Sequence, residues 1–123
     1  MKVAQKYRTH QLVDAENLAC AKAIAEKLRK NPLLLEDAKK FLREVELMEG
    51  PLNVRSYAAQ WKHILEKESL DRIIQILISP DEKATALRQD SPFVGVKFLT
   101  KQEVARIYER IRHDFYQNEE VSV

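Results

Sequence analysis

The chain is expected to fold as an all-α protein, a compact bundle of five or six short helices with one irregular loop before the last. Three observations carry this expectation. Apolar residues recur at helical spacing in nearly every segment, and strict alternation is absent. Only 2 Gly and 4 Pro occur in 123 residues, too few for the turns of a many-stranded sandwich. Hydrophobic residues make up 45 % and charged residues 33 %, a globular balance on a chain long enough for one core and not two. Residues 1–118 are therefore read as a single helical domain, and 119–123 as a frayed tail.

The first helix spans about residues 9–30, with Leu18, Ala21, Ile24, Ala25 and Leu28 on one stripe. Its alanines favour helix and let a neighbour approach closely. Asn31-Pro32 breaks it, with Asn31 as N-cap and Pro32 in the first turn of the next helix. The second helix carries Leu34, Ala38, Phe41, Leu42, Val45 and Met48 toward the core, and Gly50-Pro51 stops it. A third helix starts near Asn53 and presents Tyr57, Trp61, Ile64 and Leu65. Ser69 caps a fourth, in which Leu70, Ile73, Ile74, Leu77 and Ile78 form the cleanest amphipathic pattern of the chain.

Ser79-Pro80-Asp81-Glu82 opens a fifth helix, with Ser79 as cap and Glu82 completing a capping box, and this helix ends near Gln89. Residues 90–99 read as a loop, because Pro92 and Gly95 oppose helix there. Thr100 and Glu103 form a second capping box, with Leu99 and Val104 placed as a hydrophobic staple. Val104, Ile107, Tyr108, Ile111 and Phe115 make the stripe of the last helix. Trp61, Phe41 and Phe115 are expected to supply much of the core.

The charges nearly balance, at 21 Lys+Arg against 19 Asp+Glu. Residues 1–30 are less even, with seven basic and three acidic residues, a local excess of 7 − 3 = +4. A solvated helix face and a phosphate-contacting surface both fit this excess. The longest apolar runs, such as Leu33-Leu34-Leu35, fall far short of the ~20 residues that span a bilayer. The opening residues lack the apolar stretch of a secretory signal, so a cytoplasmic location is expected. Cys20 stands alone in an Ala-rich stretch, which excludes an internal disulfide.

Sites for chemistry are hard to assemble from these residues. His10, His63 and His113 are far apart and fit no ligand spacing, so no metal site is expected. Two glycines cannot make a phosphate-cradling loop, and Ser91 is followed by Pro92, which removes an oxyanion-hole amide. An enzyme and a cofactor are accordingly not expected. Arg106, Arg110 and His113 lie at i, i+4 and i+7 with Arg112 adjacent, a spacing that could track phosphates. Glu103, Glu109 and Asp114 dilute that field and favour surface ion pairs.

The segment Leu87-Arg88-Gln89-Asp90-Ser91-Pro92-Phe93-Val94-Gly95-Val96 mixes Arg, Gln, Asp and Ser with Phe. A long ordered connection of this kind is often functional. The competing reading is structural: Phe93, Val96 and Phe98 plug the bundle, while Arg88 and Asp90 satisfy backbone groups. With Ala25-Glu26-Lys27-Leu28-Arg29-Lys30-Asn31-Pro32 and the Trp61 helix, this stretch resembles a group of short bacterial proteins. They carry a Leu-Arg-Gln-x-Ser-Pro-Phe-x-Gly-Val signature, and the resemblance covers about residues 9–115. It implies a small antitoxin-like accessory protein encoded beside a toxin-like gene, and brings no catalytic residue with it.

The first functional expectation is therefore a non-enzymatic, antitoxin-like interaction protein that binds and neutralises a protein partner. Arg88, Gln89, Asp90, Ser91 and Phe93 would make the contact, with Phe93 as apolar anchor and Arg88 as planar charged anchor. The alternative is a DNA-binding transcriptional regulator using Lys22, Lys27, Arg29 and Lys30, with Arg106 and Arg110 adding phosphate contacts. The break at Asn31-Pro32 resembles a helix-turn-helix only loosely, since the turn has no glycine. Self-association is left open by the sequence.

Overall fold

A computed structural model describes residues 10–50, 56–89, 91–95 and 98–121 and, within these, the side chains of all but 94–95 and 118–121. The fold is all-helical. Its elements are α1 (His10–Lys30), α2 (Leu34–Glu49), α3 (Tyr57–Lys67), α4 (Leu70–Ile78), α5 (Glu82–Gln89), α6 (Pro92–Gly95) and α7 (Lys101–Val121).

α1 is the central helix, touched by α2, α4, α5 and α7. It can be surrounded because small residues lie among its large ones: Leu12, Ala21, Ile24, Ala25 and Leu28 are all buried. α7 runs antiparallel along it, since Lys27 pairs with Glu103 at one end and Glu16 with Arg112 at the other. α2 lies over α6 and α3, and α5 bridges α3, α4 and α1. The core joins Ala38 and Leu42 of α2, Trp61 and Leu65 of α3, Ile73, Ile74 and Leu77 of α4, Leu87 and Phe93 to the α1 stripe.

The helix boundaries refine the expected ones. Between α1 and α2 the chain scarcely leaves helical geometry, because the amides of Leu34, Leu35 and Glu36 donate to the carbonyls of Asn31, Pro32 and Leu33. Leu33 takes the N-cap position with helical backbone and no side-chain cap, so Asn31 contributes its carbonyl and does not act as the expected cap. Gly50 ends α2 at φ 88°, a left-handed value that glycine adopts at little cost. The expected α3 start at Asn53 lies outside the described residues; the described helix begins at Tyr57, where Ser56 Oγ accepts from the Ala59 amide at 3.1 Å. Ser69 caps α4 as expected, accepting from the Arg72 amide at 3.2 Å.

At α5 the cap is Asp81, not Ser79. Asp81 Oδ1 accepts from the Ala84 amide at 2.7 Å, while Ser79 Oγ donates to Asp81 Oδ2 at 2.9 Å. A carboxylate facing the free amides of a helix start gains from both hydrogen bonds and dipole, which explains the preference. The expected loop contains a further turn of helix, α6, with Pro92 in the first position where a missing N–H costs nothing. The Thr100–Glu103 capping box forms in both directions: Thr100 N donates to Glu103 Oε1 at 2.9 Å, and Glu103 N to Thr100 Oγ1 at 3.0 Å. α7 is described through Val121, and residues 122–123 of the expected tail lie outside the described residues.

Burial also shifts some expected core members. Met48 is 87 % exposed, and Tyr57 lies at the exposed first turn of α3. Phe41 is half-buried at the edge of the core, and Phe115 is half-buried beside Tyr116. The aromatic centre is instead Trp61, Phe93 and Phe98, meeting edge to face with centroids 5.7 and 5.3 Å apart. Edge-to-face contact sets the positive ring edge against the negative ring face and adds about 0.5–1.5 kcal/mol per pair to area burial.

Candidate functional site

The segment singled out by its composition is built inward. Leu87 is buried, and its carbonyl accepts the Trp61 indole N–H at 2.7 Å. Arg88 is only 6 % exposed. Its Nη1 donates to the carbonyls of Leu77 at 3.0 Å and Ser79 at 2.5 Å, and its Nη2 donates to Thr85 Oγ1 at 3.0 Å. These carbonyls stand at the C-terminal end of α4, where helix geometry leaves acceptors free and a cation meets the negative end of the dipole. Ser91 Oγ accepts the Phe93 amide at 3.2 Å, and Phe93 is 0 % exposed between Trp61 and Phe98.

The proposed contact set is thereby corrected. Of Arg88, Gln89, Asp90, Ser91 and Phe93, only Gln89 is an exposed side chain; Arg88, Ser91 and Phe93 are buried, and Asp90 lies outside the described residues. Phe93 cannot serve as an exposed anchor because it fills the space between α2, α3 and the segment before α7. Arg88 cannot present its planar face because α4 already holds it. The structural reading holds for both residues; Val96 lies outside the described residues.

The basic residues separate into two groups. Lys27 Nζ donates to Glu103 Oε1 and to the Phe98 carbonyl, each at 2.8 Å, so it fastens the segment before α7 to α1. Arg29 pairs with Glu26. Lys27 is thus engaged within the fold, while Arg29 stays exposed on α1. Lys22, Lys30, Arg106 and Arg110 are exposed and have no ion pair among the described residues. Among the described residues the expected ion pairs within α7 do not form at Arg106 and Arg110; Glu103, one turn before Arg106, is engaged by α1 instead. The ion pair missed from sequence is Arg112 with Glu16, 3.2 Å from Nε to Oε2. Glu16 is fully buried, and the available signal was a carboxylate one turn beyond Leu12 on the apolar face of α1.

Three groups of this region titrate away from their ordinary range. Hydrogen bonding by Lys27 and then by the Thr100 amide holds the Glu103 carboxyl low. The Ala84 amide and then Ser79 do the same for Asp81. Burial pushes the Cys20 thiol up, and the Glu16 charge adds to this. For both carboxylates the folded pKa lies below the unfolded one, so their stabilisation is present above the ordinary carboxylate pKa and lost as pH falls through the depressed values. Acid titration of the wild type against Glu103→Gln and Asp81→Asn is expected to show a stability difference that is full near neutrality. That difference should shrink steadily below about pH 4.5.

Beside the segment lies a groove of about 500 Å³ between α1, α6 and α7. Ala21 and Ile24 form one wall, Val104 and Tyr108 the other, and Phe93, Phe98 and Leu99 the end toward the core. Arg88 and Ser91 are the buried polar residues that border it. Leu99 and Val104, the expected staple pair, both line this groove. No group of three or more His, Cys, Asp or Glu among the described residues is placed to hold a metal ion. No helix among the described residues is long and apolar enough to cross a membrane. Neither a protein-family model, nor a curated protein, nor a solved structure matches this chain.

Proposed function

We propose that this chain is a non-enzymatic interaction protein that binds and holds a protein partner, in the manner of an antitoxin, and that the contact runs along α7 instead of through residues 88–93. The supporting observation is the state of the α7 apolar face. Val104, Ile107, Tyr108, Ile111, Phe115 and Tyr116 recur at helical spacing along a 21-residue helix, and each is only half-buried. α1 covers one side of this stripe and leaves the rest open. Ile107, Ile111 and Phe115, at i, i+4 and i+8, offer the spaced anchors by which a helix docks into an apolar groove.

The test is calorimetric titration of the purified chain with the product of the neighbouring reading frame. Saturable binding is expected. The Ile111→Ala/Phe115→Ala double variant should bind about tenfold or more weakly while keeping its helical circular dichroism. Unchanged affinity of the double variant, or no binding by the wild type, would overturn the proposal.

A further inference from the structure

The groove is bordered by a charge, that of Arg88, with which no described residue forms an ion pair. A guanidinium has five N–H donors. The bonds from Arg88 to Leu77, Ser79 and Thr85 use three of them. Its Nε is buried and has no acceptor among the described residues. All three acceptors are neutral oxygens, and among the described residues no carboxylate lies within ion-pair distance of Arg88. Asp14 and Asp81 act on it only through their fields. A buried cation without a counter-ion is costly, and an orphaned buried donor adds to that cost.

Ser91 stands at the same place. Its oxygen accepts the Phe93 amide, and its hydroxyl proton meets no acceptor among the described residues. Most of the remaining wall is apolar, with Ile24, Leu77, Leu99 and Val104 and the ring of Tyr108, while Asn17, Cys20 and Lys101 also border the groove. A groove of about 500 Å³ lies within the range of small-molecule sites, which pair apolar walls with a few converging polar groups.

We propose that this groove binds an apolar monocarboxylate, with its carboxylate against Arg88 and Ser91 and its hydrocarbon chain between Ile24 of α1 and Val104 and Tyr108 of α7. A planar, singly charged carboxylate matches guanidinium donors and supplies the missing counter-charge. The site shares Val104 and Tyr108 with the apolar face of α7 but includes neither Ile111 nor Phe115, so the Ile111→Ala/Phe115→Ala variant, which should lose the partner, should keep decanoate binding.

The probe is decanoate, added below its micelle concentration to the ¹⁵N-labelled full chain, with decanol as the uncharged control. Saturable shifts are expected at the Arg88 Nε–H and at the amides of Ser91, Val104 and Tyr108. Decanol should bind about tenfold or more weakly, because it lacks the charge that strengthens hydrogen bonding. Ala105 is an exposed residue on the groove rim, so Ala105→Trp narrows the entrance without disturbing the core. This variant should keep the wild-type spectrum elsewhere and lose decanoate binding. Equal affinity for decanoate and decanol would overturn the proposal, as would the absence of saturable shifts or undiminished binding by Ala105→Trp.

Discussion

Truncating Phe93 to alanine is expected to destabilise the protein by about 3–5 kcal/mol, the range for removing a fully buried phenylalanine. The ring touches Trp61 on one side and Phe98 on the other, so the truncation removes two edge-to-face contacts as well as the buried area. Filling the space would require α6 to shift against α2, which it touches, or Trp61 and Phe98 to move in. Against a total stability of about 5–15 kcal/mol, such a loss leaves the variant close to its unfolding threshold. Phe93→Leu retains most of the volume and should cost less than half as much. Urea unfolding of both variants gives the comparison. A change under about 0.5 kcal/mol for Phe93→Ala is what an exposed contact residue would show, and would contradict its core position.

The second large effect is expected at Arg88. Replacing it with leucine removes the donor to the carbonyls of Leu77 and Ser79 and leaves the buried end of α4 unsatisfied. Each buried acceptor left without a partner costs about 1–3 kcal/mol, so a total of about 2–4 kcal/mol is expected. Relief of the buried charge offsets part of this loss, which is why the sum of two full penalties is not reached. Thr85→Val removes only the acceptor of Nη2 and should cost about 1 kcal/mol. Urea midpoints of the two variants, with unchanged slopes, separate the contributions. Similar stability for Arg88→Leu and the wild type would show that the α4 carbonyls find other donors.

Much of this architecture was legible in the order of residues. The stripe of α4 and the caps at Ser69 and Thr100 follow from periodicity and hydrogen-bonding chemistry alone. These are local signals, settled within one or two turns of helix. Competition between adjacent groups was less visible. Ser79 and Asp81 can both cap α5, and the choice depends on which oxygen reaches the Ala84 amide. At Pro92 the helix-breaking residue also starts a helix, and only the surrounding core decides between these outcomes.

The site was legible in outline and misread in orientation. The composition of residues 87–93 marks them as unusual, and they are, but Arg88 turns back to the carbonyls of Leu77 and Ser79 and Phe93 turns into the core, and the segment is fastened by bonds from distant parts of the chain. The bond from Trp61 to Leu87 joins residues 26 apart, and that from Lys27 to Phe98 joins residues 71 apart. No pattern in a single sequence carries such pairings. Glu16 and Arg112, separated by 96 positions, are of the same kind. The groove beside Arg88 likewise forms only where distant residues of α1 and α7 are brought together.

The reading of this chain rests on the burial of Leu87, Arg88 and Phe93 in the bundle, with Leu87 and Phe93 against Trp61 of α3. Nuclear Overhauser contacts from the Trp61 indole ring test it most directly. Strong cross-peaks from that ring to the Phe93 ring are expected, since their centroids lie 5.7 Å apart. A spectrum in which the Phe93 ring protons show contacts only to their sequence neighbours and to water would contradict it.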